Sequence, residues 1–257
     1  MNKDTLILNY KKTGFIIIKD FFNKKDIIKT RKKILLSANK KPNELFFYEP
    51  NIKKIRRIEN ICKFSNDAKK LIQNRKLKKI IYQFLGKNVL FKDKLNFKYP
   101  KANGFEPHID GHFFWRDKDN KIKKGWKEYS NNFLNVVIPL EDTNKKNGCL
   151  EIANKDETFK ILGSKWEDIT KKTYMYTPKI KKKFIKKFNF FNVELKIGDI
   201  LIFDWTICHR SKQNLSKNSR MIFYATYANN QKKIDIKKKY YLDKISSRNS
   251  LKNKSLN

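Results

Sequence analysis

Residues 104–111 read GFEPHIDG, and residues 204–220 read DWTICHRSKQNLSKNSR. Side chains two residues apart on a strand point to the same face, so His108 and Asp110 can present an imidazole and a carboxylate to one point in space. His209 comes much later in the chain, after a short apolar strand. Two histidines and one carboxylate are the ligand set of non-haem Fe(II) sites. The sequence therefore predicts a metal site formed by His108, Asp110 and His209.

An isolated His-x-Asp is a weak signal, and a capped turn with a surface histidine is its ordinary explanation. The second stretch favours the metal site, because its skeleton is H-x-S-x-x-N-x-S-x-x-x-R and it follows the turn Gly198-Asp199 and the strand ILIFDW. Cys208, next to His209, should point to the opposite face of that strand and pack in the core.

The composition is that of a globular protein. The chain has 257 residues, of which 39% are hydrophobic and 14% aromatic, so it can form a large core in one domain. Its apolar runs are far shorter than the roughly 20 residues that a membrane-spanning helix needs. The three cysteines, Cys62, Cys149 and Cys208, are widely spaced and form no CxxC pair. We expect a cytoplasmic protein in a reducing compartment, with no membrane partner.

The charge of the chain leaves two explanations open. The formal net charge is +36, from 61 basic and 25 acidic residues, which suggests a polyanionic partner. Lysine, asparagine, isoleucine and phenylalanine can all be encoded by A/T-rich codons, so nucleotide bias also explains part of the excess. Arginine, the residue that most often makes specific contacts to bases, is scarce, and the lysines are spread along the whole chain. We expect no specific nucleic-acid partner, and a non-catalytic polyanion-binding protein is the competing functional class.

Hydrophobic periodicity predicts helices first and strands later. An apolar strand at Gly14–Lys19 precedes a helix that Asn23 caps, and a second helix should run over Asp67–Leu85 until Gly86 ends it. Alternation then predicts strands. The predicted strands are Val89–Tyr99, Phe133–Leu140, Gly148–Ala153, Ile200–Asp204 and Met221–Tyr227. This order indicates an α+β protein, mainly β, with a sandwich or barrel core.

With these motifs in order, the chain resembles the phytanoyl-CoA dioxygenase family of Fe(II)/2-oxoglutarate-dependent oxygenases. The resemblance covers roughly residues 10–228, and includes the opening YKKTGFIIIKDFF and the segment NGCLE at 147–151. It implies a double-stranded β-helix, a cupin-like jelly roll of eight strands, with N-terminal helices packed outside. We expect one dioxygenase domain over residues 1–245 and a disordered basic tail over 246–257.

The resemblance also implies roles by position. His108, Asp110 and His209 would bind Fe(II), and no catalytic residue is expected beyond these ligands. Arg220 would bind the distal carboxylate of the co-substrate 2-oxoglutarate, and Ser211 could add a hydroxyl donor; a surface salt bridge is the alternative for Arg220. The reaction would use O2 to hydroxylate a C–H bond of a small molecule, with release of succinate and CO2.

Within the family, three features resemble the branch that hydroxylates small organophosphonates such as 2-aminoethylphosphonate. They are GFxPHxD, HRSxxNxS and Tyr240-Tyr241-x-x-Lys244. A phosphonate requires cationic or donor groups, and the substrate is expected to be small and anionic. The same family also leaves open an acyl-CoA, an amine or another small metabolite.

The candidate substrate residues are Asn96, Lys98, Trp126 and His112. Asn96 and Lys98 lie on the polar face of the strand before the His-x-Asp motif, with Lys92 and Lys94 farther away on the same face. That face either lines the barrel interior or is solvated. Trp126 either closes over a ligand or anchors the loop, and His112 either faces the cavity or is structural.

Overall fold

The computed structural model describes residues 3–38, 45–49, 52–117, 119, 121–163, 180–230 and 234–254. Within these ranges no helix is both long and apolar enough to cross a membrane. Cys62, Cys149 and Cys208 are buried free thiols.

Two antiparallel sheets form the double-stranded β-helix that the sequence predicts. In spatial order, the large sheet consists of β1 (Phe15–Ile18), β11 (Ile200–Asp204), β8 (Phe133–Pro139), β13 (Arg220–Asn229), β4 (Asn88–Lys98), β3 (Ile52–Glu59) and β2 (Phe46–Glu49). The small sheet consists of β10 (Phe191–Val193), β9 (Leu150–Ile152), β12 (His209–Ser211) and β5 (Phe105–His108). A separate hairpin pairs β6 (Phe114–Arg116) with β7 (Ile122–Lys124). The chain crosses between the two sheets, so residues distant in sequence meet inside the barrel.

The helices pack outside this barrel. They are α1 (Lys3–Thr13), α2 (Lys24–Ala38), α3 (Asn66–Gln73), α4 (Arg75–Leu85), α5 (Lys155–Leu162), α6 (Lys182–Ile185) and α7 (Ile236–Lys254), with 3₁₀ turns at Ile61–Lys63 and Gly125–Glu128. Buried side chains of α2, α3 and α4 form one apolar cluster with the outer face of the large sheet. That cluster fixes the sheet on which much of the site is built.

The helix predicted over Asp67–Leu85 is interrupted at Asn74. Ser65 caps α3 by accepting a hydrogen bond from the Ala68 amide, and Gly86 follows the last residue of α4, as expected. Asn74 takes an extended ψ of 126° and accepts a hydrogen bond from the Leu77 amide, so it starts a second helix. Asparagine competes for backbone donors in this way, which favours caps over helix interiors.

Strand β4 is buried on both faces. Leu95 and Phe97 pack into the outer apolar cluster. On the inner face, Lys98 is 1% exposed, Asn96 5% and Lys92 8%. The alternative in which this polar face is solvated is therefore wrong for these three side chains, because the small sheet lies across it. Alternation predicted the strand, but it could not show that the polar face points into the barrel.

Helix α7 continues to Lys254, into the stretch 246–257 for which the sequence predicts a disordered tail. The segment SSRNSLKNK contains neither glycine nor proline, so no residue type in it ends the helix. Residues 255–257 lie outside the described part of the chain. At its first turns, α7 buries Ile236, Tyr240 and Tyr241 against the barrel.

Candidate active site

The three predicted metal ligands meet between β5 and β12. His108 and His209 are direct partners across these two strands. One nitrogen of each imidazole and a carboxylate oxygen of Asp110 all lie within 4.8 Å of one another. His108 Nε2 is 3.9 Å and His209 Nε2 is 3.8 Å from the Asp110 carboxylate. This is the donor set and spacing that a divalent transition metal needs on one face.

Both imidazoles are oriented for coordination through Nε2. His108 Nδ1 lies 2.6 Å from the carbonyl oxygen of Glu106, and His209 Nδ1 lies 3.1 Å from that of Ile207. A carbonyl can only accept, so each Nδ1 carries the proton and each Nε2 keeps its lone pair. Burial, together with the neighbouring His209, lowers the pKa of His108 to about 3. The residues present therefore fit a metal ion.

Asp110 is oriented by a residue that the sequence did not single out. Asn135, on β8, donates from Nδ2 to Asp110 Oδ2 at 3.0 Å. The Thr226 hydroxyl donates to Asn135 Oδ1 at 2.8 Å, which fixes the orientation of the amide. Burial raises the pKa of Asp110, but His209 and Lys94 outweigh it and hold that pKa at about 2. The sequence signal that could have identified Asn135 is its amide side chain in the otherwise apolar segment FLNVVIP.

Trp126 closes one side of the site. Its amide donates to the Gly111 carbonyl, directly after Asp110. Gly111 has a φ of 74°, and a Cβ there would come within 2.6 Å of the indole, so only glycine allows this approach. Trp126 is 3% exposed, lines the cavity, and its indole N–H is buried without a hydrogen-bond partner.

A cluster of basic side chains lines the cavity beside the metal ligands; we name it the β3–β4 cluster, and it consists of Arg57, Lys92 and Lys94. Glu59 is fully buried behind it. Arg57 Nε lies 3.1 Å and Lys92 Nζ 3.4 Å from Glu59 Oε1, while Lys244 of α7 lies 2.5 Å from Glu59 Oε2. Among described carboxylates, none forms an ion pair with Lys94.

The charge states in the cluster follow from these contacts. Burial raises the pKa of Glu59, but the surrounding cations outweigh it and hold that pKa well below the usual range. Burial lowers the pKa of Lys92, and Glu59 more than reverses this effect. Burial lowers the pKa of Lys94 to about 8. Glu59 thus pairs with Arg57, Lys92 and Lys244, while Lys94 interacts with the Asp110 carboxylate. Burial holds the pKa of Lys244 well below its usual value. Arg57 and Glu59 were missed because a short polar run such as IRRIE does not reveal which face is internal.

Arg220 and Ser211 lie at the other end of the barrel, and Lys98 lies with them. Ser211 lines the cavity, and its hydroxyl accepts a hydrogen bond from Lys98 Nζ at 2.8 Å. Arg220 is 1% exposed, which excludes the surface salt bridge. Lys98 is its direct partner across β4 and β13. Asn96 lines the cavity between the two ends, and its Oδ1 is buried without a partner.

His112 is placed differently from the other predicted residues. Its ring packs 5.1 Å from Trp205, and its Nδ1 lies 3.1 Å from the carbonyl oxygen of Asp110. Burial lowers the pKa of His112 to about 4. The structure thus places His112 behind the metal ligands, in the structural position that the sequence left as its alternative. Cys208 is fully buried with Ile109 and Ala153, as expected.

Comparison with known proteins identifies the family. The model of the family described as Phytanoyl-CoA dioxygenase (PhyH) matches residues 10–222. That stretch contains the metal-ligand candidates, Ser211 and Arg220, and it spans most of the chain.

Individual relatives are more distant. A 2-aminoethylphosphonate dioxygenase of the uncultured bacterium HF130_AEPn_1 is 25% identical over 246 residues, covering 91% of this chain and 84% of that protein. A methylphosphonate hydroxylase of Gimesia maris is 22% identical over 250 residues, covering 95% and 87%. The crystal structure of EctD from S. alaskensis with 2-oxoglutarate and 5-hydroxyectoine superposes with a TM-score of 0.68 at 15% identity, covering 89% of this chain and 76% of that one. At this identity the structural likeness shows the fold.

Proposed function

The chain belongs to the phytanoyl-CoA dioxygenase family of Fe(II)/2-oxoglutarate-dependent dioxygenases, and we propose that it hydroxylates a C–H bond of a small organophosphonate. The leading candidate is 2-aminoethylphosphonate. The reaction consumes one 2-oxoglutarate and one O2 and yields the hydroxylated product, succinate and CO2, with one oxygen atom in the product and the other in succinate.

We assign the iron to His108, Asp110 and His209. Support comes from the closeness of their ligand atoms, which lie within 4.8 Å of one another, and from the backbone carbonyls that accept from both Nδ1 atoms. Once bound, iron supplies the activation of O2 that the oxidative decarboxylation of 2-oxoglutarate requires. Asn135 keeps the Asp110 carboxylate in position through its hydrogen bond.

The remaining residues bind and orient the two organic reactants. Arg220 and Ser211 receive the distal carboxylate of 2-oxoglutarate, since a guanidinium fork matches a carboxylate. The β3–β4 cluster binds the phosphonate, and Trp126 excludes water beside it. Holding a C–H bond within reach of the metal matters, because a misplacement of about 1 Å can reduce the rate on the order of 100-fold.

The observation that supports an anionic substrate is the excess of buried positive charge at the β3–β4 cluster. Arg57, Lys92 and Lys94 line the cavity. Glu59 pairs with Arg57, Lys92 and Lys244, whereas Lys94 forms no ion pair with a described carboxylate. Burying unpaired charge is unfavourable, and an anion in the cavity relieves it. A phosphonate brings up to two charges and three acceptor oxygens. The names of the two relatives agree with this chemistry.

Coupled turnover tests the proposal. Purified enzyme with Fe(II) and 2-oxoglutarate should release succinate slowly alone and much faster with 2-aminoethylphosphonate, giving a hydroxylated product by mass spectrometry. Ethanolamine, which keeps the amine but lacks the phosphonate, should not stimulate it. If phosphonates have no effect while an acyl-CoA or a neutral amine is hydroxylated, the phosphonate assignment is wrong and the family assignment stands.

A further inference from the structure

We propose that Lys244, on α7, is a positioning residue for the substrate. It fixes the Glu59 carboxylate from behind, and through that carboxylate it keeps the β3–β4 cluster open to an anion. This inference rests on the proposed binding of the phosphonate by that cluster. It gives the C-terminal helix a part in substrate recognition, although Lys244 does not itself line the cavity.

The two oxygens of the Glu59 carboxylate face different partners. Oε2 accepts a hydrogen bond from Lys244 Nζ at 2.5 Å. Oε1 lies 3.1 Å from Arg57 Nε and 3.4 Å from Lys92 Nζ. Both Oε1 and Arg57 Nε are buried without an aligned hydrogen-bond partner, so their contact is a charge pair and not a hydrogen bond. Glu59 thus balances the charge of the cluster without occupying the Nε donor of Arg57.

The Lys244 donor is what allows this arrangement. Glu59 is 0% exposed, so water does not replace a donor that is lost there. Without Lys244, the remaining basic partners of the carboxylate are Arg57 and Lys92. The carboxylate would turn toward them and form charge-assisted hydrogen bonds, which are stronger than the present contacts. Arg57 and Lys92 would then have fewer donors for a ligand in the cavity.

This role does not depend on the charge of the Lys244 amine. Burial lowers its pKa well below the usual value, against the opposing effect of Glu59. An ammonium and a neutral amine both carry N–H groups, and either form can donate to Glu59 Oε2. Lys244 therefore acts as a hydrogen-bond donor behind the cluster, and its effect on an anion passes through Glu59.

Helix α7 also contains a matched lysine away from the cavity. Lys237 Nζ lies 2.5 Å from Asp93 Oδ1, and Asp93, like Glu59, is 0% exposed. The side chains of Lys237 and Lys244 are 23% and 20% exposed. Neither Lys237 nor Asp93 lines the cavity. Each lysine thus connects α7 to a buried carboxylate, but Glu59 is the one that pairs with the cluster.

Anion binding with Ni(II) in place of iron tests the proposal without turnover. In the absence of O2, 2-aminoethylphosphonate and inorganic phosphate are titrated by calorimetry into protein saturated with 2-oxoglutarate. Lys244→Met should bind both anions on the order of 10-fold more weakly, the lower end of the range for one charged hydrogen bond. Lys244→Arg keeps a donor and should retain most of the affinity. Lys237→Met should lose stability but keep wild-type anion affinity.

A second comparison shows whether Lys244 acts through Glu59. Glu59→Gln removes the carboxylate charge from the cluster, so adding Lys244→Met in this background should change anion affinity little. If the loss is as large as in the wild-type background, Lys244 acts directly on the anion and the proposal is wrong. Equal losses in Lys244→Met and Lys237→Met would also contradict it, since they would reflect a general loosening of α7.

Melting curves establish that each variant is folded, and wild type separates this proposal from that of the substrate. If wild type binds both anions and Lys244→Met binds them equally well, only the role of Lys244 is wrong. If wild type binds phosphate but not the phosphonate, the phosphonate assignment falls, and phosphate affinity still tests Lys244. If wild type binds neither anion, the cluster is not an anion site and both proposals are overturned.

Discussion

Lys92 and Lys98 lie at opposite ends of the inner face of β4. Both are buried, but their contacts and their pKa values differ. Lys92 has a carboxylate partner, Glu59, at 3.4 Å. Lys98 donates only to neutral oxygens and faces Arg220. The pKa of Lys92 is raised by Glu59 in spite of burial, whereas burial lowers that of Lys98 to about 6.

The comparison shows that the neighbours of a buried lysine decide its charge. Near Lys92 the protein supplies a counter-ion, so the cluster is positive before any ligand arrives and can attract an anion. Near Lys98 the protein supplies no carboxylate, and burial lowers the pKa of this lysine. The inner face of β4 thus has one end where a lysine pairs with a carboxylate and one end where a lysine lies beside an arginine, with Asn96 between them.

We expect the largest effect on activity from variants of the metal ligands, which lie at neither end of β4. Asp110→Ala and His209→Ala should each abolish succinate formation, with or without substrate, because two ligands cannot hold the metal as three do. Metal titration and succinate assays measure this, and circular dichroism checks the fold. If both variants turn over 2-oxoglutarate like wild type, the metal assignment is wrong.

Replacing Glu59 removes the counter-ion of Lys92 and so abolishes the main difference between the two ends of β4. Glu59→Gln leaves Arg57, Lys92 and Lys244 without their carboxylate, which should destabilise the protein by about 3–5 kcal/mol. Urea denaturation measures the free energy of unfolding. The double variant Glu59→Gln/Lys244→Met is the control, and it should recover part of the loss because the buried Lys244 amine no longer lacks its hydrogen-bond partner. A free energy unchanged in Glu59→Gln would show that the ion pairs do not support this end.

A smaller effect is expected at Asn135, which contacts Asp110 and neither lysine. Asn135→Ala removes the hydrogen bond to the Asp110 carboxylate, and such outer partners typically contribute 10- to 100-fold in metal affinity. Competition with a metal-binding dye measures the change. Thr226→Val, which removes only the hydroxyl behind Asn135, should give a weaker effect in the same direction. Equal metal affinity in wild type and Asn135→Ala would remove it from the site.

Alternation and caps, which are local signals, predicted the strands and a sandwich or barrel core, and the resemblance carried by the two ligand segments implied the jelly roll. The helix break at Asn74 was missed because one polar residue changed the backbone inside an otherwise periodic stretch. Glu59 could not be predicted, since its partners come from β3, β4 and α7 and meet only in the folded chain. The sequence assigned Lys98 to the substrate, and spacing along β4 could not show that its Nζ lies beside Ser211 and that the residue faces Arg220.

The most direct test is to measure how 2-oxoglutarate and 2-aminoethylphosphonate bind to Lys92→Met and to Lys98→Met, because it shows whether the two ends of β4 bind different anions. Lys92→Met should weaken 2-aminoethylphosphonate binding and leave 2-oxoglutarate affinity within a few-fold of wild type, whereas Lys98→Met should do the reverse. Anaerobic calorimetry with Ni(II)-loaded protein gives all four dissociation constants, with the phosphonate titrated into the 2-oxoglutarate-saturated protein. If each variant weakens both ligands equally, or if Lys92→Met weakens only 2-oxoglutarate, the two ends do not serve different anions.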